Sequence, residues 1–162
     1  MIVPFSEMPK NSRIWIYQSN RKFLDTELND INDSVHKFLR TWTAHGSKLL
    51  TSYEIKYNRF IIIALNESVQ PASGCSIDSC IHFIQDLEKI YKIDLLDKMN
   101  VTFKQGKYIT YKSINDFKEL IKNKSVSKKT IVFNNLVVDI SDYLANWEIS
   151  VEKSWHSRFF NK

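Results

Sequence analysis

The residue types that could do chemistry crowd into one short stretch, Ser73-Gly74-Cys75-Ser76-Ile77-Asp78. It holds a thiol, two hydroxyls, a carboxylate and one of only three glycines in the chain. A thiol just ahead of a helix is favoured as thiolate by the free amide N–H groups and by the helix dipole. His45 could take its proton and Asp78 could hold the imidazole, which would make a thiol-dependent enzyme with Cys75 as nucleophile. The structural reading of the same residues outweighs the catalytic one: Cys75 is a small residue in a tight turn, Ser76 is an N-cap and Asp78 complements the helix dipole.

Anion binding asks for less. A glycine followed by small residues at a helix start presents backbone N–H groups to phosphate or carboxylate. Gly46, Gly74 and Ser76 would line such a site, and His45, Lys48 and Lys104 would add positive charge. The nucleotide phosphate loop G-x-x-x-x-G-K-[ST] is not in the chain. Gly46 is followed by Ser47 and preceded five positions earlier by Thr41, and Gly106-Lys107 has Val101 at that distance. Metal ligation fits poorly, because Cys80 and His82 are two apart on a helix and point to different faces. No metal and no cofactor are expected.

Near the chain's end, Trp155, Arg158, Phe159 and Phe160 are the types enriched where proteins bind partners. They also suit stacking on nucleic-acid bases, although folding back to close the core is the simpler reading. A net charge of +5 allows a nucleic-acid partner without requiring one. Much of the excess lies in Lys118 to Lys129, which reads as a solvated face.

The elements that must position these residues follow from hydrophobic periodicity. Arg13 to Tyr17 alternates as a strand. A helix capped by Asp25 or Thr26 carries Leu28, Ile31, Val35, Phe38, Leu39 and Trp42 on one stripe, with Gly46 as its C-terminal stop. Tyr53 to Tyr57 is a half-buried strand, and Asn58-Arg59 turns the chain. Phe60 to Leu65 is apolar on both faces and therefore central. A second helix from about Ser76 carries Ile77, Cys80, Ile81, Ile84, Leu87 and Tyr91. Val101 to Phe103 and Tyr108 to Tyr111 make a hairpin around Gly106. Ser113 to Asp116 has capping-box spacing for a third helix. Thr130 to Phe133 reads as a late strand, and Asp139 to Trp147 as a short helix.

The order strand, helix, strand, strand, helix, strand predicts an α+β fold with a ferredoxin-like βαββαβ core and a C-terminal extension. One antiparallel-rich sheet would carry helices mainly on one face. That winding places His45-Gly46, Gly74-Cys75-Ser76 and Gln105-Gly106 at one end of the sheet, and Ser19 to Arg21 with Asn58-Arg59 at the other. The 162 residues, with only three glycines and three prolines, predict one domain, its last residues from about 148 being a tail packed on it. Met1-Ile2-Val3 runs at once into Pro4 and Ser6-Glu7, so no secretory leader is read. Phe60 to Leu65, the longest apolar run, is too short to span a membrane. Two cysteines without a leader predict reduced thiols in the cytoplasm. Taken together, the residues predict a cytosolic binding or adaptor protein. Its small anionic-ligand or partner pocket would lie near His45 and Gly74 to Asp78. A thiol enzyme and a nucleic-acid-associated protein are the competing readings.

Several longer segments carry a resemblance. They are Met1 to Pro9, Ser12 to Gln18, Ala44-His45-Gly46, Ile55 to Phe60, Ser73 to Asp78, Met99 to Gly106, Thr130 to Leu136 and Trp155 to Phe160. Together they resemble a family of uncharacterised Bacteroidota proteins that often carry the label ABC transporter ATPase, and the match runs nearly end to end. The label implies ATP binding through a phosphate loop, a Walker B strand and an LSGGQ-type signature, none of which stands in this sequence. The resemblance assigns no residue roles.

Overall fold

Phe60–Leu65 is the strand on which the first half of the molecule is built, in a computed structural model that describes residues 1–161. All six of its side chains are buried, which requires a neighbour on each edge and cover on each face. The chain divides into two compact units, Met1–Leu96 with Val138–Ser141, and Asp97–Val137 with Asp142–Lys162.

The first unit runs β1 (Arg13–Gln18), α1 (Asp25–Thr41), β2 (Thr43–Ala44), β3 (Ser47–Lys48), β4 (Thr51–Lys56), β5 (Phe60–Leu65) and α2 (Gly74–Tyr91). Its main sheet has the order β1-β5-β4, antiparallel throughout, with Ile62 opposite both Ile16 and Glu54. Residues Ile61, Ile63 and Leu65 share one face of β5. They form a core with Ile31, Val35 and Leu39 of α1 and with Cys80, Ile84 and Leu87 of α2. The helices meet over that core through Phe38 and Phe83, whose rings stack 4.5 Å apart at 3°. β4 and β5 are joined by the three residues Tyr57-Asn58-Arg59, because Lys56 pairs with Phe60. The anticipated Asn58-Arg59 lies within that turn, and Tyr57 and Asn58 take positive φ of 55° and 51°.

Both outer edges of this sheet are partly covered by chain. Thr51 of β4 pairs with the N-terminal residues, its carbonyl accepting from the Val3 N–H at 3.0 Å. On β1, Arg13 bridges to Asp139, and the Ile14 N–H donates to the Val138 carbonyl at 3.0 Å. That edge of β1 is where the expected winding puts a fourth strand, Val101 to Phe103.

The second unit runs β6 (Asn100–Gln105), β7 (Tyr108–Ser113), α3 (Ile114–Lys122), β8 (Ile131–Phe133), α4 (Ile140–Asn146, which begins in residues of the first unit) and β9 (Glu148–Ser150). Its sheet has the order β7-β6-β8-β9. The expected single sheet is therefore corrected to several. Strand β6 is interior to its own sheet, paired with β7 on one side and with β8 through Phe103 and Val132 on the other. Both its edges are used, so it has none to lend to β1. The fold is α+β, and the first three strands keep the anticipated neighbours while the fourth does not.

Helix α3 starts where Ser113 Oγ accepts the Asp116 N–H at 3.1 Å. It buries Phe117 against Val101, Phe103, Val126, Val132 and Val151. After β9 the chain forms two 3-10 turns, Val151–Lys153 and Trp155–Phe160. Val151 and His156 are buried, and Phe159 and Phe160 pack at the margin of that core.

Candidate functional site

The start of α2 is organised by two serines. Ser73 is the N-cap: its Oγ accepts the Ser76 N–H at 3.0 Å, and Ser76 Oγ accepts the Ser73 N–H at 2.7 Å. This is a capping box with serine in the place usually held by Glu. The helix therefore begins two residues earlier than Ser76, and Ser76 is its buried third residue instead of its cap. Its hydroxyl also donates to the Ser73 carbonyl at 2.8 Å. That hydroxyl is thus committed to the cap.

Helix α1 ends at Thr41 without help from Gly46. Trp42 is its C-cap in extended conformation, and the chain turns at once into the β2–β3 hairpin. His45 and Gly46 form the hairpin turn, with φ of 51° and 78°. A glycine that tolerates the left-handed region serves a two-residue hairpin turn as well as a helix stop, and here it serves the turn. Nor is α1 capped by Asp25 or Thr26. Its N-cap is Leu24, whose N–H is held by Glu27 Oε1 at 2.8 Å.

These two regions lie at one end of the first unit, joined by the Trp42 indole. Its Nε1 donates to the Ser76 carbonyl at 2.8 Å and to Ser79 Oγ at 3.2 Å. His45, Gly46, Gly74, Cys75 and Asp78 are all exposed. Among the described residues no hydrogen bond joins Cys75, His45 and Asp78. The loop ahead of α2 already holds a carboxylate, since Glu67 Oε2 accepts the Ala72 N–H at 3.3 Å and lies 3.7 Å from Arg13. Lys104 stands on β6 in the second unit, where its ammonium pairs with Glu148.

Cys80 is buried, with its Sγ 3.5 Å from the Tyr17 hydroxyl. Burial pushes its thiol up to about 11 and raises the Tyr17 phenol as well, so both groups are held neutral. No group of three or more His, Cys, Asp or Glu side chains placed to hold a metal ion occurs among the described residues. No helix among them is long and apolar enough to cross a membrane. Of the three glycines, Gly46 and Gly106 make hairpin turns and Gly74 opens α2.

One cavity with charged walls lies in the second unit. A groove of about 640 Å³ lies between α3 and the last 3-10 turn, lined by Lys118, Ile121, Lys122, Arg158, Phe159 and Phe160, with Asn161. Among the described residues, no carboxylate side chain lines it. Phe117 faces the core, which turns Lys118 and Lys122, one helical turn apart, outward along the groove. Lys118 Nζ lies 5.6 Å from the Phe159 ring centre, and the Arg158 guanidinium lies 4.9 Å from Trp155 and 5.8 Å from Phe159. Beneath them His156 stacks on Trp155 at 3.9 Å, and its Nδ1 hydrogen-bonds Ser154 Oγ at 2.6 Å. Burial, with Arg158 adding to it, pushes this imidazole down to about 4. The turn that carries Arg158 and Phe159 is thus fixed by a neutral, buried histidine.

Two further cavities are less suited to an anionic ligand. One of about 380 Å³ between the N-terminal residues and β4 has Glu54 as its only charged lining residue. One of about 550 Å³ at the end of α2 mixes Glu88, Lys89, Lys92 and Asp94. The groove brings together Arg158, Phe159 and Phe160, anticipated as partner-binding residues. It adds Lys118 and Lys122, which read in the sequence as part of a solvated face, and Ile121 of α3. The usable signal was the i,i+4 spacing of the two lysines at the border of the α3 apolar stripe.

Comparison of the chain with protein-family models, with curated proteins and with solved structures finds no match.

Proposed function

We propose that the chain is a binding protein whose site is the groove on α3 and the last 3-10 turn, and that it takes an anionic ligand or partner there. The observation that carries this reading is three cationic side chains around an apolar hollow, with no carboxylate side chain among the described residues that line it. Lys122 has Glu119 at 3.5 Å, but both side chains are more than half exposed. Such an ion pair contributes at most about 1 kcal/mol and yields readily to a better partner. The volume falls within the range of about 300–1,000 Å³ usual for ligand sites.

An enzymatic role through Cys75 would need His45 within hydrogen-bond reach of the thiol, and the two side chains are exposed without such a bond. A cytoplasmic location belongs to the same reading, supported by Cys75 and Cys80, which are both free thiols.

The test is a titration of the isotope-labelled full chain at low salt with polyglutamate, with a labelled oligothymidylate and with vesicles containing an anionic lipid. Backbone resonances of residues 118–122 and 155–160 should move with at least one probe, and the movement should be lost in Lys118→Glu/Arg158→Glu. If no probe moves them, the groove is not an anion site and the reading fails.

A further inference from the structure

Which anion the groove takes can be read from what its aromatic rings are already doing. A single-stranded nucleic acid is held by bases stacked on open aromatic faces. Here those faces are in use. Trp155 has His156 stacked on it at 3.9 Å and 26°, and the Arg158 guanidinium 4.9 Å from its centre. Phe159 has Lys118 and Arg158 over its ring. It also meets Phe117, Trp155 and His156 edge to face at 6.0, 5.6 and 6.3 Å. The contacts with Phe117 and His156 belong to the packed interior of the second unit, and the outer ring faces are covered by Arg158 and Lys118, so a base could stack on either ring only by displacing a neighbour.

The rest of the groove has a different character. Ile121 and Phe160 are half-buried, and among the described residues no ring contact engages Phe160. They form an apolar floor able to take an aliphatic or aromatic side chain. Around that floor stand three exposed cations. Lys118 and Lys122 are separated by four residues of α3, a rise of about 6 Å. Carboxylates at alternate positions of an extended chain are spaced by nearly the same distance, about 6.5–7 Å. A phosphate-rich strand would satisfy the cations and leave the floor empty. An acidic peptide satisfies both.

We infer that the groove is a docking site for an extended acidic segment of another protein, one with an aliphatic or aromatic anchor flanked by Asp or Glu. The anchor fills the hollow over Ile121 and Phe160, and the flanking carboxylates pair with Lys118, Lys122 and Arg158. Charge complementarity and the occupied ring faces select this partner over nucleic acid. This inference rests on the groove being the binding site, as proposed above.

The test is a selection from a random peptide display library on the full chain, with Lys118→Glu/Arg158→Glu as the counter-target. Enriched peptides should carry Asp or Glu within two positions of a single aliphatic or aromatic residue. A synthetic peptide of that consensus should bind the double variant about tenfold or more weakly, and its binding to the native chain should weaken with added salt. Lys122→Ala, an exposed substitution that leaves the core untouched, should also reduce affinity and so guards against a folding defect in the reversal variant. Failure to enrich acidic peptides, or equal binding to both proteins, overturns the inference. If the oligothymidylate or the anionic vesicles alone move the groove resonances, the acidic-peptide assignment falls while the groove remains an anion site. If no probe moves them, both fall together.

Discussion

Trp42 donates its indole N–H to the main-chain carbonyl of Ser76 over 2.8 Å, so the residue that caps the end of α1 is tied to the first turn of α2. The ring is buried and packs edge to face on Trp15, with centres 5.9 Å apart. Trp42→Phe keeps most of the apolar body and deletes the donor, leaving the buried Ser76 carbonyl with less satisfaction. The expected loss is about 1–2 kcal/mol, read as a lower urea midpoint with an unchanged slope. Trp42→Ala adds a cavity and should cost about 3–5 kcal/mol. If Trp42→Phe melts like the native chain, the indole bond contributes nothing.

The two serines at the start of α2 act as a pair. Ser73→Ala should cost about 1 kcal/mol, the usual value of an N-cap. Ser76→Ala should cost a similar amount, because its Oγ holds the Ser73 N–H at 2.7 Å. Since each hydroxyl satisfies the other's backbone N–H, the double variant should lose less than the sum. A double-mutant cycle in urea measures that coupling, and strict additivity would show that the box is not a unit.

What could be read from sequence follows from range. Strand β5 was legible because six successive apolar residues have few other homes than the centre of a sheet, and the stripe of Ile31, Val35 and Leu39 because it repeats at helical period. The β2–β3 hairpin was not legible, since strands of two residues have no period and His45-Gly46 satisfies a helix stop as readily as a turn. The partner of β6 was hidden for a different reason. Phe103 meets Val132, and nothing local to either strand names the other. The groove shared this fate: Lys118 and Lys122 were visible as one face of α3, but the placing of Phe159 and Arg158 beside them is tertiary.

The two cysteines differ in access, and alkylation separates them. Cys75 is exposed and Cys80 is buried beside Tyr17. One thiol should react in the native protein and two in denaturant. Burial raises the Cys80 thiol to about 11, so the folded state holds this proton more tightly than the unfolded chain does. The resulting stability is complete below the unfolded value of about 8.5 and is lost as pH rises toward about 11. Cys80→Ala should remove that part of the alkaline dependence. Modification of both thiols in the native state at neutral pH would contradict the burial of Cys80.

His156 gives the opposite dependence. Its folded-state value is pushed down to about 4, by burial first and by Arg158 second. The unfolded chain takes up this proton near pH 6.5, so between these values the unfolded state binds more protons than the folded one. Stability from this group is therefore full above about pH 6.5 and falls as pH drops toward about 4, by up to about 3 kcal/mol. His156→Phe keeps a ring against Trp155 and Phe117 but cannot titrate. It loses the 2.6 Å bond to Ser154 and should be less stable than the native chain at neutral pH. Urea midpoints at pH 7.0 and 4.5 decide the matter: the native chain should lose more between them than the variant does. Equal losses would mean that His156 is protonated in the folded state, and with it that the turn carrying Arg158 and Phe159 admits water.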